Sequence, residues 1–140
     1  MVSIIERMNL STRGEGDIID LTEAVALFCR KSGLKTGLIN VFVPGSTGAV
    51  TTIEYEPGLI QDTNNALNRL FPKDISYNHD RRWGDGNGRS HVRASFIGPS
   101  LSIPVENGAL CLGTWQQVVF IELDIRSRNR EIVLTAVGEN

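Results

Sequence analysis

The second half of the chain constrains the fold most, because it holds several short strand-like runs and no helical pattern long enough to connect parallel neighbours. The runs HVRASFIG, SLSIPV, TWQQVVFIELDI and EIVLTAV either alternate in polarity or are continuously apolar. The pair Asn107-Gly108 favours a type I′ hairpin between two of them. Parallel pairing needs a crossover of about a dozen residues or more. The pattern therefore predicts a largely antiparallel sheet.

The first half adds two predicted helices. DIIDLTEAVALFCRKSG has apolar residues at helical spacing, Asp17 as a possible N-cap and Gly33 as its end. GLIQDTNNALNRLFP has one apolar helical face before Pro72. VSIIERMNL is β-rich, and GLINVFVP and AVTTIEYEP predict two strands joined by the short turn GSTG. We therefore expect an α+β fold, a mostly antiparallel β-sandwich with two helices.

Length and composition favour one domain over residues 1–140, with 41% hydrophobic and 21% charged residues. The formal net charge of −2 gives no electrostatic reason to bind nucleic acid. The start MVSIIERMNL lacks a basic region and a long apolar run, so we expect neither a signal peptide nor a membrane anchor. Cys29 and Cys111 have no neighbour at metal-ligand spacing and are predicted to be reduced, buried thiols. Together these features predict a cytoplasmic protein.

The segment SYNHDRRWGDGNGRSHVRAS, residues 76–95, is the main candidate for chemistry. It carries both histidines of the chain, His79 and His91, on either side of a glycine-rich loop. Its glycine spacing is not GxGxxG and no Lys-Ser/Thr pair follows, so we exclude a Rossmann fingerprint and a P-loop. The loop could bring both imidazoles to one metal or catalytic site, or each could make a separate structural hydrogen bond. Acidic residues that could contribute oxygen atoms are Asp80, Asp85, Glu54 and Glu56.

Glu54 and Glu56 alternate with Tyr55, so they are expected to face the same side of a strand. Two like charges on one face either lie in water or bind cations.

Four arginines in the candidate segment point to an anionic ligand, because guanidinium groups bind phosphate through paired hydrogen bonds. They are Arg81, Arg82, Arg89 and Arg93. A solvated surface is the alternative interpretation. The turn PGSTG exposes successive backbone N–H groups and the hydroxyls of Ser46 and Thr47, so it predicts either a small anion nest or an ordinary hairpin turn.

Three stretches resemble the YjbQ-like family, also called the secondary thiamine-phosphate synthase family. They are VPGSTGAVTTIEYEPGL, YNHDRRWGDGNGRSHVRASFIGPS and GTWQQVVFIELD, and the likeness runs from about residue 5 to residue 137. The resemblance implies an antiparallel sandwich with its helices on one side, a homotrimer, and a polar cleft near subunit contacts. It also implies a bound divalent metal, zinc or magnesium, and a weak thiamine-phosphate-forming activity.

The resemblance also assigns roles to residues. His79, His91 and Glu54 match the family's two histidines and its acidic strand residue, so they are expected to bind the metal and to act in catalysis. The residue chemistry described above, and not the resemblance, predicts the phosphate-binding residues Arg81, Arg82, Arg89, Arg93, Ser46 and Thr47. Relatives carry histidines where Gly45, Gly84 and Arg89 stand here. Their loss favours an oxygen-rich metal site or a plain anion site over tight zinc binding.

The reaction implied by the resemblance joins a hydroxymethylpyrimidine diphosphate to a thiazole phosphate, and pyrophosphate leaves. The arginines and a divalent cation would neutralise the departing diphosphate. The alternative is a non-catalytic trimeric protein that binds a phosphorylated small molecule. Saturable binding without product would favour this alternative.

Overall fold

The computed structural model describes residues 1–140, which form two antiparallel sheets and four helices. The strands are β1 (Val2–Ser11), β2 (Ile18–Asp20), β3 (Thr36–Phe42), β4 (Gly48–Ile53), β5 (Ser100–Glu106), β6 (Ala109–Leu110), β7 (Gln117–Glu122) and β8 (Asn129–Glu139). The helices are α1 (Thr22–Ser32), α2 (Pro57–Leu70), α3 (Asn78–Trp83) and α4 (Gly88–Ile97). No helix has both the length and the apolar character needed to cross a membrane.

The strands confirm the antiparallel α+β prediction. The larger sheet has the order β1-β8-β3-β5-β6, and the smaller one has the order β2-β7-β4. Every neighbouring pair is antiparallel. Asn107 and Gly108 both have positive φ, 52° and 77°, as the predicted type I′ turn between β5 and β6 requires.

The main hydrophobic core lies between the two sheets and includes one face of α1. The burial pattern of β8 places one of its faces in this core, because buried residues at every second position alternate with more exposed ones. Val50, Val118 and Phe120 face it from the smaller sheet. A second apolar cluster joins the other face of the smaller sheet to Leu67 of α2 and Ala94 of α4. The smaller sheet is therefore covered on both faces, which explains the apolar run of β7.

The number and bounds of the helices differ from the prediction. HVRASFIG forms part of α4 and is not a strand, because short mixed runs of this kind fit a helix as well as a strand. The first helix starts at Thr22 and not after Asp17, because Ile18–Asp20 pair with β7 as β2. Asp20 Oδ1 instead accepts a hydrogen bond from the Thr22 N–H at 2.9 Å. Gly33 ends α1 with φ 72°, as predicted.

The predicted hairpin between the two strands around GSTG is wrong. β3 pairs with β5 and β8 in the larger sheet, whereas β4 pairs with β7 in the smaller one. Residues 43–47 therefore cross from one sheet to the other. Gly48 permits this crossing, because a Cβ atom there would lie 2.7 Å from the Phe120 ring. The crossing places the turn 45–47 beside the end of β7.

Candidate functional site

A polar cleft of about 430 Å³ opens where three segments meet. The turn 45–47 lies on one side, Asn87 and His91 at the start of α4 lie on another, and the segment 124–130 forms the base. Ile125 is the one hydrophobic residue among those that line it. A polar lining of this kind suits a charged ligand better than an apolar one.

A second cavity of about 340 Å³ shares Gly45, Ser46 and His91 with the cleft. It extends along α4 past Ser95 towards Pro99. His91 therefore lines both spaces: the cleft, which has mainly charged and polar residues, and the adjoining cavity, which has mainly small side chains.

The base of the cleft rests on a buried ion pair. Glu122 is fully buried at the end of β7, and Arg130 is 4% exposed on β8. Arg130 Nε donates to Glu122 Oε1 at 2.9 Å, and its Nη2 donates to Glu122 Oε2 and, at 2.9 Å, to Thr47 Oγ1. The same Nη2 donates to the Thr47 carbonyl at 3.1 Å. The pair thus fixes the turn 45–47 to β7 and β8.

Asp124 and Arg128 form a second pair beside the first. Burial disfavours the charged form of Asp124, but hydrogen bonds from the Ile125 N–H and the Arg128 guanidinium outweigh it, so the pKa of Asp124 lies below its usual range. The Asp124 N–H donates to Glu122 Oε2 at 3.1 Å, which links the two pairs. Arg128 and Arg130 are therefore both neutralised by acidic neighbours.

The turn 45–47 offers free hydrogen-bond donors. The N–H groups of Gly45, Ser46 and Thr47 donate to no acceptor within the protein, and Ser46 is exposed. Gly45 has φ 115°, a conformation that other residues adopt only with strain. Consecutive unsatisfied N–H groups next to a cleft are characteristic of an anion nest.

Arg126 is the arginine of the cleft whose positive charge no carboxylate neutralises. It is exposed, lines the cleft, and makes neither an ion pair nor a side-chain hydrogen bond. Its guanidinium is therefore available to a ligand, whereas those of Arg128 and Arg130 are occupied.

His79 and His91 come together, as the glycine-rich loop suggested. Their ring centroids are 4.4 Å apart. Gly88 makes this possible, because a Cβ atom there would lie 2.6 Å from Tyr77 Cβ, so α4 begins in close contact with the start of α3. Asp80 Oδ1 accepts a hydrogen bond from the Gly88 N–H at 2.7 Å and holds the two helices together.

The environment of His79 fits a divalent cation. Its Nδ1 is buried without a hydrogen-bond partner and lies 3.5 Å from Asp80 Oδ1 and 3.3 Å from Asp85 Oδ1. One nitrogen and two carboxylate oxygens within 4.8 Å of one another form a donor set for a metal ion. With two oxygens and one nitrogen, it suits a hard cation such as Mg²⁺ better than zinc.

Glu54 and Glu56 do not lie on a strand, so the prediction that they share one strand face is wrong. Glu54 follows the end of β4 and is exposed. Glu56 is the N-cap of α2, and its carboxylate accepts hydrogen bonds from the Gly58 and Leu59 N–H groups. Pro57 occupies the first position of α2, where its missing N–H has no intrahelical acceptor, so Glu56 lies directly before a helix and not in a strand. Neither glutamate lines the cleft or the adjoining cavity.

The four arginines of the candidate segment divide into two pairs. Arg81 and Arg82 are exposed on α3, outside both cavities, and Arg82 stacks over Trp83 at 5.4 Å. Arg89 and Arg93 are buried on the inner face of α4 and contact Glu15. Neither residue lines the cleft or the adjoining cavity.

Sequence reasoning missed the base of the cleft. The stretch FIELDIRSRNR, residues 120–130, has a charged residue at every second position from 122 onwards: Glu122, Asp124, Arg126, Arg128 and Arg130. The available signal was Glu122 directly after the apolar run VVFI, because a buried glutamate needs a partner nearby. Without that signal, charged residues at every second position of a loop are typical of a solvated surface.

The fold and the site define a class: an α+β sandwich protein with a polar, partly cationic cleft beside a histidine pair. The family described as UPF0047 protein YjbQ-like matches residues 6–139, and the chain belongs to this family. A UPF0047 protein of Methanothermobacter thermautotrophicus is 38% identical over 134 residues, 96% of this chain and 92% of that protein. A UPF0047 protein of Mycobacterium tuberculosis is 39% identical over 120 residues, 86% of this chain and 88% of that protein.

Solved structures agree with the fold. A YbjQ-like protein of unknown function from Sulfolobus solfataricus superposes with a TM-score of 0.92 at 31% identity, covering 98% of each chain. A hypothetical protein from Aeropyrum pernix gives a TM-score of 0.89 at 32% identity, covering 97% of this chain and 99% of that one.

Proposed function

We propose that this protein binds a phosphorylated small molecule in the polar cleft. The observation that carries the proposal is the turn 45–47, whose unsatisfied N–H groups line the same cleft as the unpaired guanidinium of Arg126. Backbone N–H groups and a free guanidinium are the donors that phosphate oxygens prefer. Arg89 and Arg93 contribute indirectly in this proposal, because Glu15 occupies their guanidinium groups.

Calorimetric titration with inorganic pyrophosphate tests the proposal. Arg126→Ala is expected to weaken binding by roughly tenfold or more, because it removes a charge-assisted hydrogen bond. Arg81→Ala is the matched control, since Arg81 is also exposed but lies outside both cavities. Equal affinity of Arg126→Ala and the wild type would contradict the proposal.

The two adjoining cavities favour a more specific function, the thiamine-phosphate synthase reaction that the family resemblance implies. One space would hold the pyrimidine diphosphate and the other the thiazole phosphate, with His91 between them. The thiazole nitrogen would form a bond to the exocyclic methylene carbon of the pyrimidine, and the carbon–oxygen bond to pyrophosphate would break. Pyrophosphate would leave with the electron pair, and Arg126 would stabilise its negative charge.

Incubation with both substrates separates catalysis from simple binding. Formation of thiamine phosphate that is lost in both Arg126→Ala and His91→Ala would support the synthase. Saturable binding of both phosphates without product would favour the non-catalytic alternative. His91 touches both cavities, whereas Glu54 touches neither, so Glu54→Gln is the control and is expected to keep the wild-type rate.

A divalent metal is a further part of the proposal. His79, Asp80 and Asp85 would hold it, and it would supply positive charge near a departing diphosphate. Elemental analysis after equilibration with magnesium or zinc is expected to find metal in the wild type and to find less in His79→Ala. Metal retained in His79→Ala, or absent from the wild type, would contradict this site.

The proposed homotrimer has a surface that could support it. No helix covers the outer face of the larger sheet, and Ile5, Leu38 and Val137 are exposed there. Leu38 and Val137 are direct neighbours across β3 and β8. Light scattering that shows a monomer at micromolar concentration would contradict the trimer. We also propose a cytoplasmic location, which suits two free thiols. Cys29 is buried as predicted, whereas Cys111 is exposed, so its predicted burial is wrong.

A further inference from the structure

Glu15 lies outside the cleft but is bound to the helix that forms one of its walls. Arg89 Nε and Nη2 donate to the two carboxylate oxygens of Glu15 at 2.7 and 2.9 Å. Arg93 Nη1 donates to the same carboxylate at 3.1 Å. Arg93 also donates twice to the Phe71 carbonyl, so it ties α4 to the end of α2. This arrangement is an ionic clamp on the buried face of α4.

The clamp and the cleft lie on opposite faces of α4. Arg89 and Arg93 are four residues apart and therefore share one face of the helix. His91 lies two residues from each of them, roughly 160–200° around the helix axis. Because a short helix turns as a rigid body, fixing the arginine face also fixes the direction in which His91 points.

The segment that carries Glu15 is also bound to the base of the cleft. Thr12 Oγ1 donates to Glu122 Oε1 at 2.8 Å. The Gly16 N–H donates to the Glu122 carbonyl at 2.9 Å, and the Glu122 N–H donates to the Asp17 carbonyl at 2.8 Å. Residues 12–17 therefore connect two parts of the cleft that are far apart in sequence: α4 and the end of β7.

We propose that Glu15 is a positioning residue that sets how His91 on α4 stands relative to the 124–130 base. It does so through Arg89 and Arg93 and contacts no ligand itself. The effect on phosphate binding rests on the function proposed above, whereas the effect on the orientation of His91 does not. Removing the charge of Glu15 should therefore change His91 even where no ligand is present.

Two measurements on Glu15→Gln test this inference. The first is the nuclear magnetic resonance signal of the ¹⁵N-labelled imidazole groups, which come from only two histidines and are assigned with His79→Ala. The second is the affinity for inorganic pyrophosphate. Glu131→Gln is the matched control, because it breaks a glutamate–arginine pair on the outer sheet face, where Arg7 is the partner.

Glu15→Gln is expected to shift the His91 signals and to weaken pyrophosphate binding by roughly tenfold, as is common for groups that orient ligand-contacting side chains. Glu131→Gln should leave both unchanged. His91 signals identical to the wild type in a folded Glu15→Gln protein would overturn the inference. A wild type that binds no pyrophosphate would overturn the proposed function alone, and the His91 signals would still decide the role of Glu15.

Glu15→Asp provides the same test if Glu15→Gln does not fold. It keeps the charge but shortens the side chain by one methylene group, so the clamp must move or lengthen. A shifted His91 signal would support the inference, and an unchanged one would overturn it.

Discussion

The base of the cleft and its rim are both rich in charge, but their charges have different partners. The rim is the cluster of His79, Asp80 and Asp85, of which Asp85 lines the cleft. In the base, Glu122 and Arg130 are buried and make several hydrogen bonds to each other and to Thr47. In the rim, Asp85 is half exposed and His79 Nδ1 has no hydrogen-bond partner. The buried pairs of the base have satisfied their charges within the fold and leave only Arg126 unpaired, whereas the rim still has a free nitrogen and free carboxylate oxygens.

Because the charges are paired in one region and unpaired in the other, we expect the two regions to affect different properties: stability and ligand binding. Breaking a buried pair leaves one charge without solvent or partner, which costs several kcal/mol. Exposed charges are screened by water and contribute little to stability. We therefore expect changes in the two ion pairs of the base to destabilise the protein, and changes in the rim or at the unpaired Arg126 to alter ligand binding. Four predictions test this division, from the largest expected effect to the smallest.

The largest effect is expected for Arg130→Ala. It leaves the fully buried Glu122 unpaired, so the free energy of unfolding should fall by about 3–5 kcal/mol in urea denaturation. Arg7→Ala is the control: it breaks the exposed pair with Glu131 and should cost about 0–1 kcal/mol. The double variant Glu122→Leu, Arg130→Met should recover part of the loss. Equal costs for Arg130→Ala and Arg7→Ala would refute the division.

Gly88→Ala probes the contact that brings the rim together. A Cβ atom at this position would lie 2.6 Å from Tyr77 Cβ, so α3 and α4 must separate, at a cost of about 1–3 kcal/mol. Gly113→Ala is the control, because the nearest atom to a Cβ there lies 3.7 Å away. Thermal unfolding measures both. A neutral Gly88→Ala would show that the histidine pair does not depend on this close packing.

The sequence predicted the sheet well, because alternation along β8 and the Asn107-Gly108 turn are local signals. It missed the separation of β3 from β4, because the length of GSTG suits a hairpin as well as a crossing between sheets. It also misassigned α4, where the burial of Arg89 and Arg93 depends on Glu15, more than 70 residues earlier in the chain. A partner that distant leaves no periodic signal.

The site was predictable to a similar extent. A glycine-rich loop between two histidines left open whether they would meet, and the structure places their ring centroids 4.4 Å apart. The acidic neighbours of His79 are Asp80 and Asp85, which the sequence offered as alternatives to Glu54. The role of Arg126 could not be read from the sequence. It depends on Arg128 and Arg130 each being neutralised by a different carboxylate, which only the fold determines.

Glu15 is more exposed than Glu122 of the base and less exposed than Asp85 of the rim, and its contribution to stability should depend on pH. The Arg89 hydrogen bond lowers the pKa of Glu15 below its ordinary value of 4.5, although burial opposes this. Its stabilisation is therefore complete above about pH 4.5 and is lost as the pH falls through the lower native-state pKa. The melting temperature of Glu15→Gln should lie below that of the wild type at pH 7, and the difference should narrow towards pH 3. A difference that is constant with pH would contradict an ionised Glu15.

The smallest effect on stability is expected for Asp85→Asn in the rim. The Asp85 side chain is 47% exposed, so without metal the free energy of unfolding should change by no more than about 0.5 kcal/mol. Added magnesium or manganese should raise the melting temperature of the wild type, because a cation that binds only the folded state stabilises it. Asp85→Asn should lose this rise, and the exposed Asp74→Asn, outside the cluster, should keep it. A metal-dependent rise that survives in Asp85→Asn would show that the rim does not bind the cation through this carboxylate.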